Sequence, residues 1–446
     1  MLIIAAPIIA FVCWRVGLSH KIEARIKAIK AAGYPTNPIE LDAWYPRVPS
    51  EDNAALLFQS ASSAQAAPGK IPPGKDVALP DYAKFKLPAR GEAASDDLRA
   101  TIDLTLEVNQ TALDLLHQAT KRKQSRYPVN LTQGFNSLVP HLTGLKQSAL
   151  LLELEALSRI DSGQTQAAVE SVEASFALAQ SLSDEPILIS QMLRRSVHQI
   201  AFRSMERTLN RTSLTDQQMA GLSDALGGDE GTNGFTRGLA GERAMGLGVF
   251  PGTGRFDSLA NWRSSSTNEQ IVFRLLQPLL KATGFFERDQ IFFLDRIEEL
   301  IHTTTLVNPG AAQMAETFDA RQMEAKTGYY VFSSMLLPAM SKSLTRLAED
   351  IACRKTALTA LAIERYRLTH GNGLPDSINA LTPAFLKFSP ADPFDGKPLR
   401  FKRLARGYVV YSIGSDGTDD GGVERKEIKK STDRLLPFDI TFTVER

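Results

Sequence analysis

The feature that most constrains this chain lies near its C-terminal end, in residues 341–444. Leu344, Leu347, Ile351, Leu358 and Leu361 recur at steps of three, four and seven, which lays one apolar stripe along a helix. Gly371-Asn372-Gly373-Leu374-Pro375 then breaks the pattern, as glycine and proline do. Three alternating stretches follow. Leu399 and Phe401 alternate with Arg400 and Lys402, residues 408–413 alternate likewise, and Ile440, Phe442 and Val444 close the set. Asp395-Gly396 and Arg406-Gly407 supply the turns before and between the first two. A stripe and a half-apolar sheet each need cover, so the expectation is one long helix laid on a three-stranded antiparallel sheet.

The rest of the chain reads as helical, giving an α+β class dominated by α-helix. At 446 residues, more than one folding unit is expected. We divide the sequence at residues 1–18, a membrane anchor or signal; 19–94, a surface helix and proline-rich linker; 95–230, a helical array; 231–340, a glycine-rich connection with further helices; and 341–446. Within the linker, Ser50-Glu51-Asp52-Asn53 followed by Ala54-Ala55-Leu56-Leu57-Phe58 reads as a short capped helix. In the array, helices are expected over 95–124, 142–160, 166–182, 186–209 and 215–226. The unit around Ala156, Gly163, Ala168 and Ala174 looks like a single tetratricopeptide-type helix pair, with no second copy at that period. Further helices are expected over 271–280 and 291–302.

Residues 2–14 are uninterrupted apolar sequence, shorter than the roughly 20 residues of a full span. An anchor, a cleaved signal and a buried arm are all compatible with it. Arg15, Lys21, Arg25, Lys27 and Lys30 follow the run and by the positive-inside tendency would hold the body in the cytoplasm. Across the whole chain 51 Lys and Arg nearly cancel 50 Asp and Glu, so no long-range field draws nucleic acid, which is not an expected partner.

Most tempting motifs fail on their chemistry. Gly246-Leu247-Gly248 through Gly254 lacks the strand before it, the helix after it and a Lys-Ser/Thr end, and Pro251 removes an amide; a flexible connection is expected instead. Gly241-Glu242-Arg243 reads as an intrahelical salt bridge. The six histidines show no metal-ligand spacing, and no nucleophile elbow is present. No catalytic residue is assigned, and the chain is read as a non-enzyme.

The loop 415–422, Ser-Asp-Gly-Thr-Asp-Asp-Gly-Gly, packs oxygen ligands among glycines that permit sharp bends. Such hard oxygens suit calcium, while an ordinary solvated turn has the same composition. Residues 360–368, Leu374-Pro375-Asp376-Ser377, Asp392-Pro393-Phe394-Asp395-Gly396-Lys397-Pro398-Leu399, Tyr411-Ser412-Ile413-Gly414-Ser415-Asp416-Gly417 and Asp439-Ile440 are similar to the major pseudopilin of type II secretion systems. The resemblance covers roughly the last quarter of the chain. It implies calcium at Asp416, Asp419 and Asp420, with Asp439 as a fourth ligand. It departs from the family in that a pseudopilin begins with its apolar helix, whereas here the matching segment lies deep in the chain.

Taken together these features suggest a membrane-anchored bacterial envelope protein, single-pass in the inner membrane with its body outside the cytoplasm, although the following basic residues argue for the other orientation. The helical body would dock an unknown protein, and calcium would clamp the pseudopilin-like module. An accessory part of a secretion or pilus-type machine is the second hypothesis. An enzyme with a polar cleft between the body and the glycine-rich segment is the third.

Overall fold

The computed structural model describes residues 2–66, 69, 81, 84–226, 232–250, 279–305, 324, 325, 327–424 and 438–446. It is predominantly helical with one small three-stranded antiparallel sheet. Helices α1 (Leu2–Ala31), α2 (Pro38–Trp44) and α3 (Ala54–Ala64) come first, and α4 (Asp96–Val108) and α5 (Gln110–Ala119) follow the proline-rich stretch. Next come α6 (His141–Asp161), α7 (Thr165–Gln180), α8 (Leu188–Arg211), α9 (Asp216–Ala225) and α10 (Thr232–Leu247). Helices α11 (Phe285–Thr305) and α12 (Val331–Thr369) precede strands β1 (Arg400–Arg403), β2 (Tyr408–Ser412) and β3 (Ile440–Val444). The helix expected over 271–280, apart from its last two residues, the Gly227-Gly228 stop and the basic insertion at 425–430 lie outside the described residues.

Local chemistry sets the helix starts. The Asn53 side chain accepts the Ala55 amide at the head of α3, and Thr215 and Gln218 close a capping box on α9. Helix α12 has no cap of its own. Asp289 of α11, fully buried, accepts the Phe332 and Ser333 amides at 2.7 and 3.0 Å instead. The single helix expected over 95–124 is two, broken at Asn109. Asn109 is buried there because its side chain donates to the Thr105 carbonyl and accepts the Ala66 amide, so it competes with the helix for backbone partners.

Leu344, Leu347, Ile351 and Leu361 of the α12 stripe are buried as expected, and Leu358 is partly buried against the same cluster as Leu361. Ala357, Ala360, Leu361 and Ile363 meet Tyr408 and Val410 of β2 and Phe442 and Val444 of β3 in one apolar cluster. The same cluster takes Phe176 of α7, Met205 and Leu209 of α8, and Leu222 of α9. The array and the helix-on-sheet unit therefore share a core. The sheet order is β1-β2-β3, which leaves β3 with a free edge. Side chains of α8 satisfy it: the Thr443 amide donates to Glu206 at 2.7 Å, and Asn210 donates to the Thr443 carbonyl at 2.8 Å.

Of the glycine-rich stretch 231–254 expected to be a flexible connection, residues 232–247 form helix α10, and residues 231 and 251–254 lie outside the described residues. Its glycines are sites of close approach rather than breaks. A β-carbon at Gly238 would stand 3.2 Å from the Leu188 Cα, and one at Gly246 would stand 2.5 Å from the Phe293 ring. Phe235, Leu239 and Phe250 pack with Phe286, Phe293 and Phe332, an apolar seam. Gly241-Glu242-Arg243 lies on a helix, as expected, but the intrahelical salt bridge expected there is replaced by contacts to other helices. Arg243 instead pairs with Glu298 of α11, and Glu242 accepts the Leu188 amide at 3.2 Å.

Helix α1 divides in two. Leu18 and Ile29 are buried, and Arg15 and Arg25 pair with Glu287 and Asp295 of α11, each at 2.6 Å. The apolar end is not covered: Ile9 is 61%, Val12 52% and Val16 49% exposed. Among the described residues, no helix is long and apolar enough to cross a membrane.

Candidate functional site

The acidic loop between β2 and β3 is built onto the outer face of the sheet. Alternation along 408–413 predicts one wet face, yet all five residues of β2 are buried. The loop is the reason. Gly422, at φ +82°, lies so close over β2 that a β-carbon there would meet Val409 at 3.1 Å and Tyr411 at 3.3 Å. Lys402 donates to the Gly421 carbonyl at 3.1 Å and holds the same segment down from β1.

Each of the four aspartates expected to bind calcium has a definite place. Asp416 is exposed and accepts the Thr418 amide at 3.1 Å, closing its own turn. Asp419 accepts the Tyr411 hydroxyl at 3.2 Å and the Gly421 amide at 3.0 Å, with the Arg400 guanidinium at 3.6 Å from its other oxygen. Asp439 is buried, and its two oxygens accept the Asp420 and Gly422 amides at 3.4 and 2.7 Å. Asp420 is half-buried, and its Oδ2 is sealed from solvent with no hydrogen-bond partner.

The structure thus folds Asp439 back onto the loop but does not gather the four carboxylates into a chelate. Among the described residues, no three His, Cys, Asp or Glu side chains stand together as a metal-holding group. The electrostatics still favour a cation at one end. Burial, and then the charges of Asp416 and Asp419, push the Asp420 carboxyl up. Burial also pushes Asp439 up, against the amides that hold it, with Asp420 and Asp419 adding to the rise. A hard cation would relieve both and would occupy the unpartnered Oδ2. Asp419 would have to give up Arg400 to join.

One residue that anchors the loop went unassigned in the sequence. Asp392 is almost fully buried and accepts the Phe394 amide, the Ser412 hydroxyl, the Ile413 amide and the Arg400 guanidinium, at 2.7–3.0 Å. It ties the turn before β1 to the point where β2 leaves for the loop. Its signal is the Asp-Pro-Phe-Asp-Gly run beginning eight residues ahead of Arg400, a turn and part of the pseudopilin resemblance to which no anchoring role was attached. Asp395 of that run sits 2.5 Å from Arg400; burial alone would raise it, but the guanidinium holds it below the usual carboxylate range.

A second polar feature lies on the array. A cleft of about 900 Å³ opens among α5, α6, α7 and α9. His117 faces it with Nε2 2.8 Å from Glu155, and that hydrogen bond raises the imidazole pKa against the pull of burial. Glu173, on the same cleft, has its carboxyl raised by burial and then by Glu170. Two further histidines pair with carboxylates inside the protein, His141 with Glu185 at 3.1 Å and His198 with Asp350 at 3.2 Å. Burial holds His198 below the ordinary imidazole range despite its aspartate. None of these pairs is visible in the sequence, because the partners stand 38, 44 and 152 residues apart. No protein-family model, no curated protein and no solved structure matches the chain.

Proposed function

We propose that this chain is a non-enzymatic, membrane-anchored docking protein of the bacterial envelope. The apolar end of α1 enters a bilayer, the helical body presents a docking surface, and calcium stiffens the pseudopilin-like unit at the C-terminal end. One observation carries the reading. Helix α1 is fastened to α11 along its polar half, while Ile9, Phe11, Val12, Trp14 and Val16 lie in the open. Contiguous exposed apolar surface of that kind marks a membrane or interaction site in a folded protein.

Flotation of the full chain with phosphatidylcholine vesicles tests it. The wild type is expected to float, and the Ile9→Ser/Val12→Ser double variant to stay behind with an unchanged circular dichroism spectrum. A wild type that stays at the bottom of the gradient removes the membrane from the function.

Calcium is tested separately, by melting the full chain with and without the ion. A ligand at a hundredfold excess over its Kd stabilises by about 2.7 kcal/mol, a shift of a few degrees. The shift is expected to vanish in Asp420→Asn and to shrink in Asp419→Asn. Identical melting with and without calcium would leave the loop as a solvated turn over the sheet.

A part in a secretion or pilus-type machine is the second reading, favoured by the long helix on a β1-β2-β3 sheet, the arrangement that the resemblance implies. Co-purification with assembled pseudopilins separates it from the first.

A further inference from the structure

Helices α1 and α11, with Glu324 and Tyr330, line an open hollow of about 440 Å³ immediately after the exposed apolar end of α1. Lys21 and Arg25 enter it from α1, Arg288 and Arg296 from α11. The carboxylates on its lining are Asp295 and Glu324. Asp295 is taken by Arg25 at 2.6 Å, and Arg296 is taken by Glu299 at 2.9 Å. Lys21 and Arg288 have no carboxylate against them among the described residues. Arg288 lies over the Tyr330 ring, which is stacked on Phe292 at 4.3 Å, so the cation is backed by an aromatic wall on one side.

Position makes this more than a charged patch. Lys21 is five residues beyond Val16, about 8 Å along the helix axis. The polar layer flanking a bilayer's hydrocarbon core is about 5–8 Å deep. If the apolar end of α1 enters hydrocarbon up to Val16, the pocket stands at the level of the lipid headgroups. Lys21 and Arg288, offset only by the exposed Glu324 on the same lining, leave one net positive charge at that depth for an anionic phosphate.

We infer that this pocket holds the phosphate of an anionic lipid headgroup, so that the chain selects anionic over neutral bilayers. The inference rests on the membrane reading above and adds the chemistry of the surface. A cation near an anionic membrane surface contributes roughly fivefold to binding.

Co-sedimentation of the full chain with two sets of vesicles tests it, phosphatidylcholine alone and phosphatidylcholine with phosphatidylglycerol. The wild type is expected to bind the anionic set roughly fivefold more tightly, the contribution of one net cation. Lys21→Glu/Arg288→Glu should abolish that preference while still binding neutral vesicles, and Lys387→Glu, a charge reversal elsewhere, should keep it. Equal binding of both sets by the wild type overturns the headgroup assignment and leaves the membrane reading standing. Binding to neither set overturns both. A preference that survives in the double variant, or is lost equally in Lys387→Glu, also overturns it. Displacement from anionic vesicles by inorganic phosphate, but not by chloride at the same ionic strength, would make the pocket a soluble phosphate site and end the lipid assignment.

Discussion

Replacing Gly241 with alanine is expected to cost the protein about 3 kcal/mol or more, at the top of the range for overpacking one methyl group. Helix α10 crosses the start of α8 at this glycine. A β-carbon built there would lie 2.8 Å from the Pro186 carbonyl carbon and closer still to its oxygen. The obstacle is backbone, so no rotamer change relieves it. Relief requires α10 to move away from α8, which would open contacts of Leu239, Ala240 and Phe250 with the apolar cluster they share with α11 and α12. Gly17→Ala is the matched control. Gly17 stands in α1 with nothing within 4 Å of a β-carbon, so helix propensity alone should make that change neutral or stabilising by up to about 1 kcal/mol. Thermal and urea unfolding of both variants provide the measurement. A Gly241→Ala protein as stable as the wild type would mean that α10 does not pack where the structure places it.

That glycine also shows where sequence reasoning stopped. The α12 stripe and the three strands were legible because their periodicity is local: each residue's partner is set by its own helix or strand. Helix α10 was legible only at Gly241-Glu242-Arg243, which read as helical; its full extent was not. Glycine ordinarily signals a break, and only a neighbouring backbone 55 residues away turns Gly241 into a requirement for helix packing. The acidic loop was half legible. Its composition announced carboxylates among glycines, but the diversion of Asp419 to Tyr411 and Arg400 depends on the loop folding over β2. That fold-back also buries Val409 and Tyr411, the face that alternation had assigned to water. Lys21 and Arg288, which meet on one lining between α1 and α11, lie nearly 270 residues apart, and no local pattern connects them.

Glu242→Gln is expected to stabilise the protein, and only where the wild-type carboxyl would be charged. Glu242 follows Gly241 on α10 and caps α8 from outside: the Leu188 amide donates to it, and Ile187 offers no side-chain cap. A helix N-terminus ordinarily favours an anion. Here no cation pairs with Glu242 among the described residues, and burial wins over the single amide, pushing the carboxyl up to about 7 from 4.5. Between those values the folded protein holds a proton that the unfolded chain has released. Stability therefore falls as pH rises through this window, the reverse of a salt-bridged carboxylate. The full penalty above pH 7 corresponds to about 3.5 kcal/mol, 2.5 pH units at about 1.4 kcal/mol each. Glutamine keeps the oxygen that accepts the Leu188 amide but carries no charge to desolvate. Unfolding free energies should then coincide for wild type and variant near pH 4 and diverge by about 2–3 kcal/mol in favour of the variant near pH 8. A difference that is the same at every pH, or that favours the wild type at pH 8, would mean that the α8 dipole and its amide hold the anion after all.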